Sequence, residues 1–171
     1  SLAIAASLAA CGSTKQAHEP GTQAAALAHG SGSFNTAPGA QPGEWTSQAG
    51  DYANSRFSTL KQIDASNVGR LKVAWTFSDG ALYGHEGAPL VQGNTMYVVS
   101  PFPDRAYALD LTKPGPNIKW MFDPKPSQMA IGKACCDAVL RGWAIGDGKL
   151  VYTLLDAHVV AVDMATGKEV W

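Results

Sequence analysis

One pattern, written twice in the second half of this chain, decides the fold class. Tyr107-Ala108-Leu109-Asp110 is followed by Gly115 and Trp120, and Val160-Ala161-Val162-Asp163 is followed by Thr166-Gly167 and Trp171. Ala161 lies 53 residues after Ala108, and Trp171 lies 51 after Trp120. Self-similarity at a fixed period of roughly 20–50 residues marks units that stack on their neighbours, because no unit buries its apolar face alone. Within each unit, short runs rich in Val and Tyr are punctuated by Gly, Asn, Asp and Pro, the texture of strands and turns. Strands are expected at 89–92, 95–100, 106–111 and 118–122, and again at 143–145, 149–155, 158–164 and 169–171. A blade of a β-propeller is a sheet of about four such strands. The Asp and Gly suit the turn before the fourth strand, and the Trp supplies a large apolar plate for the wedge between blades. No long helical period is present; residues 60–71 hold a helical turn at most.

The second unit runs only to Trp171, inside its fourth strand. A propeller needs about four blades or more, whereas this chain carries material for about two. An isolated fourth-strand pattern at 72–77, centred on Trp75, has no strand partners ahead of it. The expectation is an all-β fold: the N-terminal portion of a β-propeller with two blades and a ring-closing strand, in a chain that is the front of a longer protein.

The first residues have another texture. Residues 1–10 are short, small and apolar, too few to span a bilayer, and read as the end of a secretory signal. Leu8-Ala9-Ala10-Cys11, followed by Gly12-Ser13, resembles a bacterial lipobox, in which Cys11 takes the lipid anchor. Residues 11–42 are mostly Gly, Ala, Ser, Gln, Thr and Pro, a composition that buries too little to offset chain entropy and suits a tether. The propeller portion is expected from 43 to 171. A net charge of −1 gives no basic stripe and excludes nucleic acid as a partner.

Cys135 and Cys136 are adjacent. Consecutive Cα atoms are ~3.8 Å apart, and disulfides usually want roughly 4.4–6.8 Å. Two readings stay open: a pair of thiols packing as small apolar groups, or a strained ring of the kind that collects at functional sites. No further Cys or His cluster supplies metal-ligand spacing. An exported chain meets an oxidising compartment, where disulfides persist.

From Trp45 to Trp171 the residues resemble pyrroloquinoline quinone (PQQ) dependent alcohol dehydrogenases. The resemblance is carried by Trp45, Gly50-Asp51-Tyr52, Asn54, Arg56-Phe57-Ser58, Leu60, Ile63, Asn67-Val68, Leu71 and Trp75. It continues through Gly84-His85-Glu86-Gly87-Ala88-Pro89-Leu90, Met96-Tyr97-Val98, Pro101-Phe102-Pro103 and Cys135-Cys136-Asp137-Ala138-Val139-Leu140-Arg141-Gly142. The 84–90 and 101–103 segments are similar to the methanol dehydrogenase large-subunit branch. Leu140 and Trp143-Ala144-Ile145 depart from the commoner family pattern.

The resemblance implies an eight-bladed propeller with PQQ on its axis, and periplasmic oxidation of primary alcohols of the methanol or ethanol type. It implies a vicinal disulfide between Cys135 and Cys136 stacked on the quinone, with Arg141 and Glu86 in polar contact with the cofactor. Ca²⁺ or a lanthanide, the catalytic base and the metal ligands belong, in the family, to residues beyond Trp171. The 171-residue chain alone is therefore expected to be inactive. Electrons are expected to pass to a cytochrome c, Cys11 is expected to hold the protein at a membrane, and a homodimer is compatible. His85 is expected to be structural, His158 exposed, and Asp137 a turn residue. The competing class is a non-enzymatic propeller scaffold lipoprotein of the outer-membrane assembly type, which has no use for adjacent cysteines beside an arginine.

Overall fold

The computed structural model describes residues 41–171. Expectations for residues 1–10, for Cys11 and for the tether up to residue 40 lie outside the described residues. Two antiparallel sheets follow one another along the chain. The first contains β1 (Leu90–Gln92), β2 (Thr95–Val99), β3 (Ala106–Asp110) and β4 (Asn117–Phe122), ordered as they occur. The second contains β5 (Ala144–Gly146), β6 (Lys149–Thr153) and β7 (Val159–Asp163), again in sequence order.

Local chemistry accounts for these meanders. Asp147 and Gly148 form the two-residue link between β5 and β6, with φ of 48° and 68°. Both residues in the left-handed region is the geometry whose twist matches a hairpin, and Asp-Gly is its favoured sequence. β2 alternates buried and half-buried residues, as a strand with one core face should. The central residues of β3 and β7 are buried on consecutive positions instead, because both faces of these strands are covered. Leu90, Tyr97, Ala108, Leu150, Tyr152 and Val162 belong to one buried cluster spanning both sheets.

The repeated motif has a direct physical meaning. The Asp163 carboxylate accepts hydrogen bonds from the backbone N–H groups of Ala165 and Thr166 and from the Thr166 hydroxyl, closing the turn after β7. Asp110 does the same with Thr112, whose hydroxyl and N–H hold its carboxyl at about 2. Gly167 follows at φ +70°, and an added Cβ there would stand 2.6 Å from Cδ2 of Trp120. The indole of the first sheet's outer strand thus lies flat on a bare backbone of the second. Its Nε1–H donates to the Met164 carbonyl at 3.0 Å. The plate expected between blades is present.

The strand expectations change at their edges. The spans 118–122 and 143–145 gain Asn117 and Gly146, and seven other ends retract by one or two residues where ladder pairing stops. Residues 169–171 form no full strand. They run beside β7 through a bridge between Val162 and Glu169 and two bonds, Ala161 N–H to Trp171 and Val170 N–H to Ala161. Residues 72–77 form no strand: among the described residues they have no ladder partner, although Phe77 meets Tyr107 edge-on at 5.1 Å. The helical turn is a 3₁₀ turn at Val68–Arg70.

Candidate cofactor face

The segments before β1 and before β5 lead into the first strands of their sheets, and the fold lays them together. His85 pairs with Leu140 in a parallel bridge. The next residue on each side of a parallel pair emerges beside its counterpart, which makes neighbours of Glu86 and Arg141. Arg141 Nη1 lies 3.5 Å from Glu86 Oε2, with the two side chains 63% and 48% exposed. An ion pair this open to water adds little stability, so both groups remain available to a ligand. Leu140, between them and the sheets, is buried, and the Ala138 carbonyl accepts the Phe102 N–H at 2.9 Å.

Cys135 and Cys136 are exposed thiols whose sulfurs stand 2.7 Å apart. Cys136 and Asp137 both adopt positive φ, 67° and 65°. For a non-glycine residue that region costs roughly 1–2 kcal/mol, and consecutive instances need surrounding structure to hold them. The contact between the thiols pushes Cys136 below the usual thiol range and Cys135 above it. The positive charge of Arg141 nearby adds to the lowering. A continuous polar line therefore runs Glu86–Arg141–Cys136–Cys135. All the site residues read from the sequence within the described region fall on one exposed face.

Three supporting residues were not read from the sequence. Gln48 lies against the backbone of Gly142, whose φ is +137°; a Cβ there would fall 1.8 Å from Gln48 Nε2. A side chain other than hydrogen at 142 would displace the segment that holds Arg141. Gln48, Arg141, Gly142 and Thr153 line an open cavity of about 360 Å³ beside the guanidinium. Asp104 is fully buried and ties the sheets. Its Oδ2 accepts the Leu155 N–H at 2.7 Å and its carbonyl accepts the Tyr152 hydroxyl at 3.0 Å. Burial pushes its carboxyl pKa up. Asp79 holds the His85 ring Nε2 at 2.9 Å, which gives that histidine the structural role expected of it. His158 is exposed and bonded to Asp156. Each of these contacts joins residues far apart in sequence or rests on a turn geometry that composition does not reveal.

The face offers a cation with several donors, a carboxylate acceptor and two polarisable sulfurs. That donor set suits a flat, anionic, oxygen-rich molecule. It does not suit a bare metal ion: among the described residues no group of three His, Cys, Asp or Glu side chains converges.

Comparison with known proteins agrees with the strand pattern. Residues 45–171 match the family described as glucose/ethanol/alcohol dehydrogenase, beta-propeller domain, under the heading PQQ. The chain is 52% identical over 131 residues to the lanthanide-dependent methanol dehydrogenase of Methylacidiphilum fumariolicum, covering 77% of this chain and 21% of that protein. It is 38% identical over 174 residues to methanol dehydrogenase [cytochrome c] subunit 1 of Paracoccus denitrificans, covering 92% and 27%. Among solved structures it superposes on a europium-containing methanol dehydrogenase with a TM-score of 0.73 at 52% identity, over 77% of this chain and 23% of that one. The chain thus spans about a fifth to a quarter of the length of these relatives.

Proposed function

Because this chain belongs to the glucose/ethanol/alcohol dehydrogenase β-propeller family of quinoproteins, we propose that its protein is a PQQ-dependent dehydrogenase of primary alcohols. The substrates are of the methanol or ethanol type and the products are aldehydes. The observation that carries the reading is the convergence of Glu86, Arg141, Cys136 and Cys135 on one exposed face at the entry to both sheets.

Bound PQQ supplies a two-electron acceptor. Arg141, permanently charged and carrying several donors, holds the anionic oxygens of such a molecule and stabilises negative charge that develops there. Glu86, 3.5 Å away, keeps the guanidinium aimed and accepts a hydrogen bond from the ligand's polar edge. Cys135 and Cys136, two polarisable sulfurs on the same face, would contact the bound cofactor. They pair as a vicinal disulfide in the mature protein, the two thiols giving up their electrons and protons to the thiol-oxidising system of the export compartment. The paired form would shield the cofactor from water without adding a group that titrates. Gln48 and Gly142 fix the backbone from which Arg141 reaches out.

The same reading extends to what surrounds the site. Ca²⁺ or a lanthanide is held by residues outside this cluster, and electrons pass to a cytochrome c. The protein works in the periplasm, anchored through a lipid on Cys11 and held off the membrane by residues 12–42; a homodimer is compatible. A scaffold role has no observation in its favour.

The test loads the full gene product with PQQ and either Ca²⁺ or a lanthanide, then follows alcohol-dependent dye reduction. Methanol- or ethanol-dependent turnover that disappears without PQQ is expected. A loaded protein that binds PQQ yet oxidises no primary alcohol would refute the substrate class, and one that binds none would refute the cofactor.

A further inference from the structure

The ion pair between Glu86 and Arg141 is too exposed to hold its own geometry, since pairs open to water contribute little. Its aim must come from the residues behind it. The ring Nε2 of His85 lies 2.9 and 3.1 Å from the two oxygens of the Asp79 carboxylate, whose side chain is 7% exposed. A carboxylate only accepts, so this nitrogen carries the proton and donates. Asp79 is anchored in turn. Its carbonyl accepts the hydroxyl of Tyr107, a buried residue of β3, at 3.1 Å, and its Oδ1 accepts the Ala81 N–H at 3.0 Å. The imidazole is thus tied to the first sheet through a fixed carboxylate.

Chain geometry shows what that tie controls. His85 meets Leu140 through a single parallel bridge, not a ladder. One bridge sets the spacing of two segments but leaves each able to roll about its own axis. The backbone on either side is closely packed: a Cβ at Gly84 would stand 3.2 Å from Pro101 Cβ, and one at Gly87 3.3 Å from the Leu140 carbonyl oxygen. The segment is therefore seated, and its roll is the freedom that remains.

Successive side chains of an extended segment point to opposite sides. Pinning the imidazole of His85 on one side therefore sets the direction of Glu86 on the other, towards Arg141 Nη1 at 3.5 Å. We propose that Asp79 and His85 are positioning residues, whose hydrogen bond fixes the roll of segment 84–87 and so aims the Glu86 carboxylate at Arg141 and the cofactor. His85 acts through Glu86 and needs no contact with the quinone. The inference rests on the reading of Glu86 and Arg141 as cofactor contacts and adds the device that holds them.

The test measures PQQ affinity of the full gene product by equilibrium dialysis at saturating Ca²⁺ or lanthanide. Wild type, His85→Ala, His85→Gln and Asp79→Asn are compared, each also in a Glu86→Ala background. His85→Ala should weaken binding about tenfold, the value of one hydrogen bond to a charged partner. His85→Gln should stay within about threefold of wild type, because its amide N–H reaches the same carboxylate. With Glu86→Ala already in place, His85→Ala should cost less than about twofold more, since the group it aims is gone. Wild-type affinity in His85→Ala would overturn the proposal, as would no rescue by His85→Gln. An equal loss in both backgrounds would overturn it too, by showing general packing instead of aim. Should His85→Ala fold poorly, Asp79→Asn carries the comparison: a loss that depends on Glu86 is expected, and a loss in both backgrounds or in neither would overturn the proposal. A wild-type protein that binds no PQQ would instead refute the cofactor reading, and this inference with it.

Discussion

Replacing Gly167 by alanine should separate two effects that the repeat combines. Gly167 sits at φ +70°, and Gly148, in the exposed β5–β6 turn, sits at +68°. An alanine at either position adopts a left-handed backbone, costing roughly 1–2 kcal/mol. The surroundings differ: a Cβ at 148 meets nothing within 4 Å, whereas one at 167 meets Trp120 Cδ2 at 2.6 Å and Cγ at 2.7 Å. Those atoms are ring, not the free end of a flexible chain, and the indole is tethered by its bond to the Met164 carbonyl. Forcing it away adds an overpacking cost of about 1–3 kcal/mol. Gly148→Ala should therefore lose about 1–2 kcal/mol and Gly167→Ala about 2–5 kcal/mol in total. Denaturant unfolding of the full gene product, followed by tryptophan fluorescence, measures both, and the Trp120 environment should change only in the second. Equal losses for the two variants, or an unchanged Trp120 signal in Gly167→Ala, would refute the idea that the repeat is a device for laying an indole on bare backbone.

Three further outcomes follow from the same geometry. Asp104 has its carboxyl pKa raised by burial, so the folded state binds the proton more tightly than the unfolded chain. Stability should fall as pH rises from about 3.8 towards the folded pKa; Asp104→Asn should abolish that slope in unfolding curves taken across pH 4–7, and an unchanged slope would count against it. Asp110 should titrate at about 2 by carbon NMR and move up towards the ordinary carboxylate range in Thr112→Val, because the Thr112 hydroxyl is the main cause of its depression. Its stabilising effect is present above about 3.8 and is lost as pH falls through about 2. Arg141→Lys should weaken PQQ binding by about 10-fold or more, since a point charge cannot reproduce the planar set of donors; equilibrium dialysis reads this, and wild-type affinity would remove Arg141 from the cofactor face.

Much of the architecture was legible because its determinants are local. The Asp147-Gly148 link, the Val- and Tyr-rich runs of β2, β3 and β7, and the recurrence of Asp, Gly and Trp all state their geometry within a few residues. The proposed site face rests on a different kind of signal: Cys135, Cys136, Glu86 and Arg141 belong to short segments whose resemblance is specific. What stayed hidden is long-range. Gln48 reaches Gly142 across 94 positions, and Asp104 reaches Leu155 across 51. Nothing near either residue announces its partner. The 72–77 segment has the composition of a strand, yet pairing decides whether such a segment becomes one, and no partner for it exists among the described residues.

The most direct test is a crystal structure of the full gene product purified from a host that makes PQQ. The account predicts quinone density stacked against a bonded Cys135–Cys136 pair, with the Arg141 guanidinium within hydrogen-bond distance of its oxygens. Two reduced sulfurs over a space filled by the protein's own side chains, with the quinone elsewhere or missing, would contradict it.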